Sequence, residues 1–98
     1  MKLWLDDVRP TPEGWVRAHS VNEAIRLVAG APQDFEECSL DHDLGDYAHD
    51  GGDGVKFVDW MGEHNIWPRG QVAVHSANPV GRDNMRRSID AYRRRNDQ

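Results

Sequence analysis

The chain has 98 residues, 38% hydrophobic and 30% charged, with a formal net charge of -5, a length that fits one domain over residues 1–98 and excludes a second core. A lone cysteine, Cys38, excludes an internal disulfide, no apolar run approaches the ~20 residues of a membrane span, and no basic-then-apolar leader opens the sequence, so the expectation is a cytoplasmic protein that neither crosses nor enters a membrane. Residues 1–68 carry 5 basic and 14 acidic side chains and residues 69–98 carry 7 and 3, a balance that argues against duplex DNA as partner because duplex binding needs a basic face.

Lys2 to Leu5 alternates and then meets Asp6 and Asp7, which predicts a short buried strand ending in two carboxylates. Pro10 and Pro12 deny helix to the segment Val8 to Gly14, so it is expected to cross in extended form to a second strand near Trp15 to Ala18. Ser20-Val21-Asn22-Glu23 has the capping-box spacing, and Val21, Ala24, Ile25 and Val28 fall on one face of the helix it starts, with Gly30 and Pro32 as the stop. Glu37 to Leu40 predicts a further strand, which delivers Asp41, His42 and Asp43 at its end.

Residues 45–54 hold four glycines with Asp46, Asp50 and Asp53, a composition expected of a mobile loop able to act as a lid. Asp53 is expected to cap a helix over Val55 to Glu63, with Phe57, Val58 and Met61 inward, closed by Asn65 and Pro68. Gln71 to Val74 reads as another buried strand, ending in His75 and Ser76, and Asn78-Pro79 is a cap followed by a proline at the first helical position. In the last helix Met85, Ile89 and Tyr92 form one apolar stripe, while Arg86, Arg87, Arg93, Arg94 and Arg95 remain in water. The core is expected to draw on the four tryptophans Trp4, Trp15, Trp60 and Trp67.

Strands alternating with helices predict an α/β fold: a small, open, mostly parallel four-stranded sheet with flanking helices in three layers. Ligands of such sheets bind beyond the carboxyl ends of the strands, which is where Asp6-Asp7, Asp41-His42-Asp43 and His75-Ser76 fall. Asp6, Asp7, Asp41 and Asp43 offer hard oxygen ligands for Mg²⁺ or Mn²⁺, and the nearby histidines shift the preference towards a transition metal. His42 and His75 suit proton transfer, with Asp41 beside them. Ser76, the amides at Asn78 and the Arg9 guanidinium suit phosphate oxygens. Each has a plainer reading too: Arg9 as salt-bridge partner of the acidic pair, Ser76 and Asn78 as helix caps, Asp43 as a loop cap, and the two histidines as packing residues. The glycine stretch 51–54 is not a phosphate loop, since the required lysine and hydroxyl are missing, and residues 41–52 do not fit a calcium loop, because Gly45 and Gly52 stand where ligands are needed.

Asp6, Asp7, Asp41 and Ser76 resemble the pattern of response-regulator receiver domains. That resemblance implies a divalent ion on the three aspartates, Asp41 as phosphate acceptor and Ser76 in the switch position. Leu5-Asp6-Asp7-Val8-Arg9-Pro10, Gly14-Trp15, Leu40-Asp41-His42-Asp43-Leu44-Gly45 and His75-Ser76-Ala77-Asn78-Pro79 more specifically resemble the cyclic-phosphate processing receiver domains, across nearly the whole chain. This second resemblance implies a cytoplasmic phosphodiesterase-type hydrolase that opens cyclic phosphates on nucleotides or RNA ends. A phosphorelay receiver needs a lysine after its fifth strand, and the only lysines here are Lys2 and Lys56. The alternatives are a phosphoacceptor receiver with Asp41 as acceptor, or a non-catalytic module that binds a cyclic nucleotide or a protein partner.

Overall fold

The computed structural model describes residues 1–96. Four strands, β1 (Lys2–Leu5), β2 (Val16–Ala18), β3 (Glu37–Leu40) and β4 (Val72–Val74), alternate with three helices, α1 (Val21–Gly30), α2 (Val55–His64) and α3 (Pro79–Asn96). The strands form one sheet in the order β2-β1-β3-β4, and every pairing is parallel. No helix joins β1 to β2, in keeping with the two prolines between them. Ser20 accepts the Glu23 amide at 3.1 Å and caps α1, although Glu23 reaches back to the His19 amide, one residue short of the reciprocal box. Asn65 ends α2 in the left-handed region with φ 51°, and Asn78 caps α3 by accepting the Gly81 amide.

Register fixes which side chains share a face. Leu3 pairs with Val16 and Cys38, Leu5 with Ala18 and Leu40, and Leu40 with Val74, so these residues lie on one side of the sheet. All but the exposed Val16 form a single core with Val21, Ala24 and Val28 of α1, Phe57, Val58 and Met61 of α2, and Met85 and Ile89 of α3. Burial among them pushes the Cys38 thiol far above its ordinary range, so it stays protonated. Trp4, Arg17, Ser39 and Ala73 occupy the opposite side.

The α/β parallel architecture is as expected, with a difference in the layers. From β2 to β3 and from β3 to β4 the chain advances in the same direction across the sheet. Two right-handed crossovers in one direction place α1 and α2 on one face, and α3 continues that layer by packing on α2. The described residues therefore make two layers rather than three, and the far side of the sheet carries no helix. The tryptophans bear out the expectation only in part: all four are half-buried, Trp60 and Trp67 packing against the core and Trp4 and Trp15 lying outside it. Arg86, Arg87, Arg93, Arg94 and Arg95 of α3 are exposed as expected, two of them lying over rings, Arg93 on Trp67 and Arg95 on Tyr92. No described helix is long and apolar enough to cross a membrane.

Helices α2 and α3 approach closely at Gly62, where an added Cβ would lie 2.2 Å from the Tyr92 ring. Gly62→Ala should therefore cost about 1–3 kcal/mol through overpacking, read as a lower midpoint in urea unfolding; an unchanged midpoint would show that this contact yields freely.

Candidate active site at the carboxyl ends of the strands

The sheet ladder continues one residue past the strands. Asp6 donates its amide to Ala18 at 3.1 Å, Asp41 to Leu5 at 2.9 Å and His75 to Leu40 at 3.0 Å. Alternation then puts Asp6, Asp41 and His75 on the helix-free side with Trp4, Ser39 and Ala73. Three neighbouring strands thus aim two carboxylates and an imidazole at one place.

Asp6 is fully buried and saturated with donors. Its Oδ1 accepts the amides of Val8 at 2.8 Å and Arg9 at 2.9 Å, while Oδ2 accepts Arg9 Nη1 at 3.0 Å and lies 2.8 Å from His75 Nε2. Burial alone would raise its pKa, but the two amides, Arg9 and His75 outweigh that and hold it down at about 2. Asp41 also meets Arg9 Nη1, at 3.1 Å. Here burial and the nearby Asp6 charge prevail over Arg9, the Ser76 hydroxyl and His75, and the carboxyl is pushed above its ordinary value. One buried carboxylate is thus a settled anion and its neighbour a more basic one.

Asp7 completes the acidic group. One carboxylate oxygen from each of Asp6, Asp7 and Asp41 lies within 4.8 Å of the other two. Gly45, at φ 54°, makes room for Asp7, since a Cβ there would come within 2.6 Å of Asp7 Oδ2. Three hard oxygens at this spacing fit a divalent cation such as Mg²⁺ or Mn²⁺. The Arg9 guanidinium now neutralises two of the three, so both readings of Arg9 remain physical: it is the partner of the acidic pair, and a half-exposed cation able to turn to an incoming anion.

His42 and Asp43 do not join this group, contrary to expectation. His42 Nδ1 lies 2.8 Å from Asp43 Oδ1, and both cluster with Asp53. The His42 ring rests on the first turn of α3, where a Cβ on Gly81 would come within 2.5 Å of it. The contact with His42 lowers the Asp43 pKa, helped by Asn78, whose Nδ2 reaches Asp43 at 3.3 Å. His42, the residue after Asp41, turns to the helix side against α3, whereas Asp7, the residue after Asp6, stays with the acidic group. Asp53 is not the cap of α2 either; it accepts the Leu44 amide at 3.2 Å, and Gly54 occupies the cap position without a side-chain bond.

Ser76 is buried beside Asp41 and accepts the Asn78 amide at 3.1 Å, so it combines a site contact with a turn. Asn78 is committed to capping α3 and to Asp43. The 45–54 segment, expected to be mobile, forms a 3₁₀ turn over Gly45–His49 and is anchored through Asp50, which accepts Ser20 Oγ at 2.7 Å and Asn22 Nδ2 at 3.0 Å. Two residues escaped the sequence reading. Trp4 lies flat on His75, with ring centroids 3.9 Å apart and planes 2° apart, and Ser39 Oγ sits 2.7 Å from His75 Nδ1. The Trp4 Nε1 proton is buried without a partner, an arrangement that costs about 1–3 kcal/mol and that the stack must offset. The signal was present, because Trp4 and Ser39 stand two residues before Asp6 and Asp41.

The sequence profile of the cyclic-phosphate processing receiver domain matches residues 1–91. The chain belongs to that family. No curated protein and no solved structure matches it. In this cyclic-phosphate processing receiver domain a divalent cation on the three aspartates would have to compete with Arg9 for Asp6 and Asp41. Arg9→Gln should therefore bind Mn²⁺ more tightly, by roughly tenfold if the lost competition is worth ~1.4 kcal/mol, as measured by titration calorimetry; weaker binding would contradict the competition.

A pH test follows from Asp6. Its pKa of about 2 lies below the ordinary 3.8, so the ionised carboxylate stabilises the fold above about pH 4 and that contribution disappears as pH falls through the folded-state value. The stability gap between wild type and Asp6→Asn in urea titrations should be wide near neutrality and shrink as the pH approaches 2. A gap independent of pH would remove Asp6 as the buried anchor.

Proposed function

We propose that this protein hydrolyses a cyclic phosphodiester on a nucleotide or RNA end to a monoester, with a divalent cation, Mg²⁺ or Mn²⁺, held by Asp6, Asp7 and Asp41. The observation that carries the reading is the meeting of Asp6, Asp41, Arg9 and His75 at adjoining strand ends. When bound, the cation would offset charge on the phosphate oxygens and make phosphorus more electrophilic.

The chain's own groups supply the rest. Arg9, released from the carboxylates, binds a non-bridging phosphate oxygen through its planar donors. Asp41, the more basic of the two buried carboxylates, accepts a proton from the attacking water. The water oxygen bonds to phosphorus as the bond from phosphorus to one ribose oxygen breaks, and His75 gives that oxygen its proton from Nε2. The Ser76 hydroxyl, next to Asp41, offers a donor to a remaining phosphate oxygen. The separation of His42 from Asp6 and His75 favours His75 over His42 as the acid. A net charge of -5 suits contact with a single cyclic phosphate better than contact along a duplex backbone.

With Mg²⁺ or Mn²⁺ the purified protein should convert a 2′,3′-cyclic nucleotide to a monoester, and a chelator should stop it. His75→Ala should lower kcat by roughly 10²–10⁴-fold, and His42→Ala should have a much smaller effect. The opposite ranking of the two histidines, in product analysis by chromatography, would refute the assignment. The phosphoacceptor alternative draws on one observation, the Ser76 hydroxyl on a buried Asp41; it calls for stable labelling by acetyl phosphate that Asp41→Asn abolishes, without turnover of cyclic phosphates.

A further inference from the structure

We infer that Ser39 is a positioning residue for this chemistry, its hydroxyl keeping the His75 imidazole turned with Nε2 towards the acidic group. The inference rests on the reading of His75 as the proton donor and adds a residue which that reading does not contain.

Both ring nitrogens are engaged, Nε2 with Asp6 Oδ2 at 2.8 Å and Nδ1 with Ser39 Oγ at 2.7 Å. An ionised Asp6 can only accept, so the proton on that side belongs to Nε2. In the neutral ring Nδ1 is then an acceptor, and the Ser39 hydroxyl donates to it. In the cationic ring Nδ1 carries a proton as well, and the same hydroxyl turns to accept it. When Nε2 passes its proton to the leaving ribose oxygen, the ring becomes neutral with the remaining proton on Nδ1, still directed at Ser39 Oγ. Only a group that both donates and accepts serves each of these states; a carbonyl would serve one.

Trp4 removes the other freedom. With the two rings 2° from parallel, the imidazole plane is set by the indole. What remains is the half-turn about the Cβ–Cγ bond, which returns the ring to the same plane but would bring ring carbons against both oxygens; Ser39 and Asp6 jointly oppose it. Ser39 is 6% exposed, in the middle of the four-residue β3, so water does not readily replace its hydroxyl. The arrangement reverses the order found in hydrolytic triads, where serine faces Nε2 and the carboxylate faces Nδ1. A hydroxyl buried behind the ring supports the histidine and does not itself attack substrate.

The test is long-range ¹H–¹⁵N spectroscopy of ¹⁵N-labelled protein, with His75 assigned by comparison with His75→Ala, combined with kinetics on a 2′,3′-cyclic nucleotide. The wild type should show a neutral ring protonated on Nε2, with Nδ1 shifted as a hydrogen-bonded acceptor. Ser39→Ala should move the Nδ1 resonance to that of a free acceptor and lower kcat about 10–100-fold, as loss of an outer partner does at functional imidazoles, with KM little changed. Ser39→Thr, which keeps the hydroxyl, should restore both. A wild-type neutral ring protonated on Nδ1 overturns the inference, and that spectrum decides even where Ser39→Ala does not fold. An Nδ1 resonance indifferent to Ser39→Ala overturns it equally, whereas wild-type protein that turns over no cyclic phosphate overturns the functional reading instead.

Discussion

The site depends on one buried anion. Asp6 is inaccessible to solvent, yet four donors converge on its two oxygens: two backbone amides, a guanidinium and an imidazole. A charge so placed is tolerable only when its lone pairs are filled. The amides of Val8 and Arg9 curl the chain back over β1, and this turn delivers the Arg9 side chain to Asp41. Through Oδ2 the same carboxylate reaches across to His75, two strands away in the sheet. The tight turn, the cation between two acids and the orientation of the imidazole thus share a single origin.

The fold supplies this arrangement from few residues. Strands of three or four residues contribute little by themselves, and the sheet holds because its inner pleat meets a continuous helical layer through Leu3, Leu5, Leu40, Phe57, Met61 and Met85. Close approaches tighten that layer on the site: Gly54 lets α2 start against the Asp41 carbonyl, where a Cβ would stand only 1.9 Å away, and Gly81 lets α3 start against His42. The helices therefore reach the strand ends from behind, while the other side of the sheet holds Asp6, Asp41 and His75.

Much of this was legible in the residues. Alternation gave the strands, Ser20 and Asn78 gave helix starts, Asn65 gave a stop, and the rule for parallel sheets brought Asp6, Asp7 and Asp41 together. Alternation sorts side chains only within the strands: past their ends His42 and Asp43 leave the acidic group for Asp53, whereas Asp7, also one residue beyond a strand-end aspartate, joins it. Applied strictly, the same alternation would have placed Trp4 and Ser39 beneath the site. The Asp50 anchor was hidden because it depends on the loop packing against α1, a contact between distant segments that a glycine-rich composition does not encode. The count of layers required the direction of each crossover, which follows from strand order and not from the order of elements along the chain.

The bare side of the sheet has a consequence for access. In a sandwich with helices on both faces, a reactive group at a strand end is reached only through the rim, and whatever carries the scissile bond must thread a slot. Here no helix among the described residues stands above Trp4, Ser39 and His75, yet Ser39, Asp6 and Asp41 are buried, with the Trp15 ring set edge-on to Trp4 at 6.0 Å. On that flank, what reaches the acidic group is therefore decided by individual side chains rather than by a helical layer.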